Sequence, residues 1–264
     1  NIYITGSNAK MLSREIATTL GGRFWNKDVY PYSFAEYLNA RDIILSKNWM
    51  YGKQAAEVSK AFNDYFLYGG FPELTDVIAK RVWLNDIYSK IFFSDLIVRN
   101  KVRNEEALGL LVRRLAENVK QPVSYTRLAN LISSIGIKIS KATVIEFIRY
   151  LKESCLIFPI ENYAAKFAER NSNMKHYFID NGLLSIFLLD GNTSLLENIV
   201  AIHLYKRYGA QLYFYNQNIE VDFVIPEAKT AIQVSYSLMD ETTCRREVEG
   251  LIKLNRVFPM DNMC

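Results

Sequence analysis

Cysteine is scarce in this sequence: Cys155, Cys244 and Cys264 are unevenly spaced and odd in number, so they supply neither a disulfide framework nor a C-x-x-C zinc pattern. Histidine is scarcer, and His176 and His203, far apart and without Cys or His neighbours, read as packed or surface side chains rather than metal ligands. No uninterrupted apolar run approaches the roughly 18 residues of a membrane helix. The longest, 155–160 and 183–189, suit a globular core. The opening Asn1-Ile-Tyr-Ile-Thr lacks the basic start and small-residue cleavage site of a secretory signal. G-x-x-x-x-G-K-[ST] is also missing: Gly52-Lys53 has neither the earlier glycine nor the hydroxyl residue. These absences exclude a membrane-spanning or disulfide-stapled protein, predict a reducing, cytoplasmic setting, and predict that this chain alone does not hydrolyse ATP. Opening inside a strand and without an initiator Met, it also reads as a piece of something longer.

What is present is apolar bulk. Half of the 264 residues are hydrophobic, with 17 Tyr and 15 Phe, enough to build more than one packed core and too many for a disordered chain. The net charge of +4 identifies no partner, but its distribution is uneven. From Arg99 to Glu153 eleven Lys/Arg face five Asp/Glu, so that stretch carries +6 and the remainder −2.

Along the chain, IYITGSN (2–8) alternates as a strand before a Gly turn, and 9–20 has helical spacing at Met11, Leu12, Ile16 and Leu20. Gly21-Gly22 ends that helix, and Phe24–Tyr30 reads as a short extended segment stopping at Pro31. Residues 33–45, 54–67 and a nearly continuous 73–98 read as helices, broken by Gly69-Gly70-Phe71-Pro72. Next come helices over 105–119, 125–134 and 141–153, with Ser124 and Ser140 as N-caps and Gly136 in the turn between the last two. An extended CLIFPIENY, a polar loop at 168–175 and an extended HYFID (176–180) follow. Three helices with a two-stranded appendage is the order of a winged helix-turn-helix. The rest reads as a compact α/β unit: helix 193–208, strands 211–216, 219–225 and 230–235, helix 241–255.

Strand alternation puts Glu220, Asp222 and Val224 on one face of 219–225, opposite Val221, Phe223 and Ile225. If the next strand pairs with it as a hairpin, Asp222 and Gln233 meet, and Glu197 of the preceding helix approaches them. Three oxygen-bearing side chains around one point suit Mg²⁺, which a phosphodiester nuclease uses to activate water. A solvated strand face is the plain alternative. In helix 141–153, Val144, Ile145, Ile148 and Leu151 are expected to face inward, leaving Lys141, Thr143, Arg149 and Lys152 to a DNA groove or backbone, or simply to water.

The helix–strand–strand–strand–helix unit with Glu197, Asp222 and Gln233-Val234-Ser235 resembles the PD-(D/E)xK nuclease core. Moreover GSNAKMLSREIATTLGGR, YPYSFAEYL, YFLYGGFPEL, DLIVRN, YFIDNGL, LLENIV and EVDFVI occur in this order, a series that resembles bacterial and archaeal AAA-type ATPases. In that family a P-loop module precedes a winged helix and a nuclease-like domain of unknown function. The resemblance covers essentially the whole chain and implies mixed α and α/β architecture. Residues 1–45 would be the end of the ATPase module, 46–100 a helical lid, 101–181 the winged helix, and 182–264 a restriction-endonuclease-like domain. It implies Walker A and B segments upstream of Asn1, ATP and Mg²⁺ as cofactors of the intact protein, Ser7 or Asn8 as a sensor of the terminal phosphate, and Arg14 and Arg23 as candidates for a neighbouring nucleotide's phosphate. For either Arg a surface salt bridge is the plain alternative.

One departure matters. Where the nuclease pattern has Lys, this chain has Ser235, and a hydroxyl cannot meet the developing phosphate charge as an ammonium does. Arg245 or Arg246 could supply a displaced cation, but neighbours on a helix point about 100° apart, so at most one faces the site. The expectation is therefore a nuclease-like fold with a weak Mg²⁺ site and weak or absent cleavage, engaging duplex DNA. The rival expectations are an active metal-dependent nuclease, and a module that binds a protein partner or itself without touching DNA.

Overall fold

Ser33 opens the first described helix, α1 (Phe34–Ala40), with a reciprocal cap: its hydroxyl accepts from the Glu36 N–H at 3.3 Å, while Glu36 Oε2 accepts from the Ser33 N–H at 2.7 Å. The computed structural model describes residues 25, 27–170, 172–237, 239 and 241–264, with Phe167 and Ala168 as backbone only. The expected strand 2–8 and helix 9–20, and with them Ser7, Asn8, Arg14 and Arg23, lie outside the described residues. Helix α1 ends five residues before the expected 45, because Asp42 adopts φ +56° and the Ile43 N–H turns back to the Leu38 carbonyl at 2.9 Å. Aspartate is among the few residues that tolerate this left-handed closure.

Helix α2 (Gln54–Tyr68) runs to the Gly69-Gly70 corner. The continuous helix expected over 73–98 is instead three pieces. A 3₁₀ turn, Pro72–Thr75, is closed by the Thr75 hydroxyl on the Pro72 carbonyl at 2.8 Å, then α3 (Lys80–Lys90) passes into a π-helical segment, Ile91–Val98. Helices α4 (Glu105–Glu117), α5 (Tyr125–Ser133) and α6 (Lys141–Glu153) follow, capped by Asn104, Ser124 and Ser140. Gly136, at φ +93°, makes the turn before α6.

Strands β1 (Val123–Ser124), β2 (Ile157–Asn162) and β3 (Asn173–Phe178) frame the short helix α7 (Phe167–Arg170). The chain then forms α8 (Asn181–Ser185), α9 (Asn192–Tyr208), β4 (Tyr213–Asn216), β5 (Glu220–Ile225), β6 (Thr230–Ile232), α10 (Glu241–Val257) and β7 (Asn262–Met263). The seven strands among the described residues join one mixed sheet in the order β1-β3-β2-β4-β5-β6-β7, antiparallel except for the β2·β4 and β6·β7 pairs. The sheet therefore runs through the boundary expected at 181/182, by the Glu161↔Tyr213 and Asn162↔Phe214 pairings.

One core extends from Phe66 and Leu96 through Leu108, Leu111 and Leu151 to Tyr177, Leu195 and Phe223, so the helices before the sheet and α9 pack on a common interior. Two smaller clusters lie between α1 and α2 and beneath α10. Among the described residues no helix is long and apolar enough to cross a membrane.

A buried polar joint ties α2 to the sheet. Asp180 Oδ2 accepts from the Gly70 N–H and Oδ1 from the Gly182 N–H, both at 2.8 Å. Asn181 donates to the carbonyls of Phe66 and Leu195 at 3.0 Å each. Asn198, fully buried on α9, accepts from the Phe178 N–H at 2.8 Å and donates to the Phe178 carbonyl at 3.2 Å and to Asn181 Oδ1 at 2.9 Å. Side chains are excluded from the corner: a Cβ at Gly69 would lie 1.9 Å from Asp180 Oδ1, and one at Gly182 would lie 2.1 Å from the Tyr68 carbonyl oxygen. The YGGF and IDNGL segments thus meet each other, and the residue after Glu197 fixes where α9 sits on β3.

Candidate functional site

Three elements bring the acidic residues together. Antiparallel pairing of β5 with β6 through Phe223↔Ile232 puts Asp222 beside Gln233, which lies just past the end of β6. The Asp222 N–H donates to Gln233 Oε1 at 3.1 Å, and the Val234 N–H donates to Asp222 Oδ2 at 2.9 Å. Glu197 comes from α9 and is 4 % exposed; Asp222 is 6 % exposed. The strand expected to reach 235 stops at Ile232; past it the two bonds to the Asp222 and Gln233 side chains tie the segment to β5, and the Gln233 N–H donates to the Cys264 carbonyl at 2.8 Å.

What joins the two carboxylates is a residue the sequence did not bring forward. Lys175 on β3 is fully buried, with its Nζ 3.1 Å from Asp222 Oδ1, 3.2 Å from Glu197 Oε1 and 3.4 Å from Glu220 Oε1. Tyr177, two residues on, donates its hydroxyl to the same Glu197 oxygen at 2.7 Å. Lys175 falls in the stretch expected to be a polar loop, whereas β3 begins at Asn173. The available signal was the alternation Lys175, Tyr177 against Met174, His176, Phe178 in a strand buried on both faces.

Burial raises the Glu197 carboxyl to about 7, against the attraction of Lys175 and with the help of Asp222's charge. Burial also opposes the Lys175 ammonium, but Glu197, Asp222 and Glu220 outweigh it and hold Lys175 above its ordinary value. The lysine therefore stays charged at neutral pH.

A cavity of about 460 Å³ opens over this cluster. Its walls carry Glu197, Glu220, Asp222, Glu247 and Glu249 against the cations Lys120, Arg246 and Lys253. Each cation has a local partner: Arg246 meets Glu247 at 2.6 Å, Lys253 meets Glu249 at 3.1 Å, and Lys120 reaches the Thr193 hydroxyl at 3.1 Å. Gln233 donates to Glu247 at 2.5 Å. Ser235 does not line the cavity; its hydroxyl donates to the Ser237 carbonyl at 2.9 Å. Of the two candidate arginines only Arg246 lines it, and Arg245 pairs with Glu241 at 3.3 Å.

The donor set leaves Mg²⁺ poorly served. Lys175, Tyr177 and the Val234 N–H already engage three of the four oxygens of Glu197 and Asp222, and Gln233 spends both ends of its amide on Asp222 and Glu247. Among the described residues no three His, Cys, Asp or Glu side chains form a group able to hold a metal ion. His203 is exposed; His176 is buried, and burial with the nearby Lys152 pushes it down to about 4, so its ring is neutral.

The second set of candidates lies on α6. Val144, Phe147, Ile148 and Leu151 make its buried stripe, while Ile145, expected inward, is 43 % exposed because it falls outside the i, i+3, i+4, i+7 spacing of those four. Lys141, Arg149 and Lys152 are exposed. Arg149 lies 3.8 Å from Glu146 and 3.9 Å from Glu153, with its guanidinium 5.0 Å from the centre of the Tyr150 ring. Thr143 is turned back to the N-cap, its oxygen 2.9 Å from the Ser140 hydroxyl.

A family described as a domain of unknown function, DUF8612, matches residues 59–195, just over half of the chain. The chain belongs to the DUF8612 family. Residues 1–38 match an AAA domain, which associates this DUF8612 chain with AAA-type ATPases. It is 32 % identical over 272 residues to an uncharacterized protein of Methanocaldococcus jannaschii, covering 100 % of the chain and 61 % of that relative. To an uncharacterized protein of Haemophilus influenzae it is 31 % identical over 263 residues, covering 96 % of the chain and 63 % of the relative. The chain thus spans about three fifths of the length of these relatives. No solved structure matches it. The DUF8612 match includes Lys175, Tyr177 and Asp180 but ends before Glu197, so the acidic centre straddles its edge.

Proposed function

We propose that this chain is the part of an AAA-type ATPase that engages duplex DNA, with a winged helix over α4–β3 and a nuclease-like unit from α9 to α10 that does not cleave. In this reading ATP and Mg²⁺ belong to the AAA module, with Ser7, Asn8, Arg14 and Arg23 on the nucleotide side. The observation that carries DNA contact is the exposed Lys141, Arg149 and Lys152 on α6, the third helix of a helix–helix–helix–hairpin order, in the chain's one strongly basic stretch. The observation that argues against cleavage is the acidic centre itself. Lys175 occupies Glu197 and Asp222, Arg246 and Lys253 are paired with Glu247 and Glu249, and the position that should carry a lysine to meet the developing phosphate charge carries Ser235.

The test is duplex binding by fluorescence anisotropy over a salt series. Replacing Lys141, Arg149 and Lys152 with Glu weakens binding and lowers the slope of log K against log salt by up to about 2.7, from about 0.9 per phosphate contact. A variant that binds like the parent with an unchanged slope removes α6 from the interface. One observation favours a second reading, docking of a protein partner: Ile145, 43 % exposed, sits among these cations and offers an apolar contact.

A further inference from the structure

We propose that Lys175 is the resident cation of the acidic centre: its single ammonium bridges Glu197 and Asp222 from beneath and offsets part of their charge, where a nuclease would use a divalent metal, and the carboxylates become a metal site only when that ammonium is removed. The proposal rests on the nuclease-like reading of this centre.

The geometry is that of a cation held by its own chain. Three carboxylate oxygens surround Nζ at 3.1 to 3.4 Å, and the lysine has no exposure to water. Metal-oxygen bonds are about 2.0 to 2.6 Å, so carboxylates closing by about 1 Å would reach a bound ion. While Lys175 is present they are kept apart and spoken for. Tyr177 shares Glu197 Oε1 with the ammonium, the Val234 N–H holds the second Asp222 oxygen, Oδ2, and Lys175 does not line the cavity, so it sits behind the carboxylates instead of blocking the opening. A cation approaching from the cavity therefore meets oxygens that are already engaged and whose charge is partly offset. Removing the ammonium adds one net negative charge at a buried position, where charge interactions are several times stronger than in water. It also leaves buried carboxylates without their counter-ion, a strongly destabilised arrangement that a bound metal would relieve.

The experiment compares the parent with Lys175→Met, which keeps the length of the side chain and drops the charge. Mn²⁺ binding is followed by electron paramagnetic resonance, and thermal unfolding is recorded with and without Mn²⁺. The parent is expected to show no saturable Mn²⁺ binding and no Mn²⁺-dependent Tm. Lys175→Met is expected to melt lower in chelator, to bind Mn²⁺ saturably, and to regain Tm on adding it, with both effects lost when Asp222→Asn is added. Saturable binding by the parent that Asp222→Asn abolishes overturns the proposal, as does a folded Lys175→Met that ignores Mn²⁺. Should Lys175→Met not fold in chelator, Lys175→Gln is refolded with and without Mn²⁺: Mn²⁺-dependent recovery of either variant supports the proposal, and no recovery of either overturns it. No nucleic acid enters this assay, so failure here leaves DNA contact through α6 standing, and loss of DNA contact leaves the resident cation standing.

Discussion

Asn198→Ala should be among the most damaging single substitutions in the protein, although Asn198 touches neither the cavity nor the surface. Its side chain is fully buried and makes three hydrogen bonds, to the Phe178 N–H, the Phe178 carbonyl and Asn181 Oδ1. Truncation leaves those three partners in a space closed to water. An orphaned buried polar group costs about 1–3 kcal/mol, and because the three share one site their costs do not simply add, so a loss of about 3–5 kcal/mol is expected. For a chain of this size each kcal/mol is worth about 2–4 °C, which places the fall in Tm near 10 °C. Circular dichroism of thermal unfolding at fixed pH measures it. Asn85→Ala, on the exposed face of α3, serves as the control and should stay within about 0.5 kcal/mol. An Asn198→Ala protein within about 1 kcal/mol of the parent by urea unfolding, about one tenth of a typical domain's stability, would refute the idea that this joint holds α9 and Glu197 against β3.

Asp180 gives a pH dependence of definite sign. Burial raises its carboxyl from 3.8 to about 6, against the pull of the Gly70, Gly182 and Leu183 N–H groups. The folded pKa lies above the unfolded one, so the protonated form favours folding below about pH 4, and that contribution is lost as pH rises through about 6. Between pH 4 and 7 the stability of Asp180→Asn should therefore gain on the parent by up to about 3 kcal/mol, and a difference that does not change with pH in urea titrations would contradict it. Ser235→Lys should not create nuclease activity, because Ser235 is turned toward Ser237 and away from the cavity; Mg²⁺-dependent nicking of plasmid by this variant would show the side chain reaching the site.

Local signals were legible where one residue decides the geometry. Ser124 and Ser140 cap α5 and α6 as their spacing implies, Gly136 takes a positive φ in the intervening turn, and α6 has the expected bounds. Where the outcome depends on tertiary contacts, periodicity misled. The apolar run 73–98 hides a 3₁₀ turn and a π-helical segment, and Ile145 looked like core because one extra apolar residue beside a helical stripe cannot be told from the stripe itself. The acidic centre was half visible. Strand alternation and the hairpin put Asp222 beside Gln233, with Glu197 approaching, but Lys175 belongs to a strand three places away in the sheet, beyond β4 and β2, and 47 residues earlier in sequence. Nothing local to Lys175 marks a buried ammonium, since a lysine before an apolar strand ordinarily reads as solvated.

The most direct test is incubation of the parent chain with linear duplex and single-stranded DNA in Mg²⁺ or Mn²⁺, followed by gel analysis. With Lys175 offsetting the carboxylates, no cation at position 235 and the amide of Gln233 committed to Asp222 and Glu247, no metal-dependent cleavage is predicted. Robust cleavage by the parent that Asp222→Ala abolishes would contradict the account and make Arg246, the arginine that lines the cavity, the cation to test next.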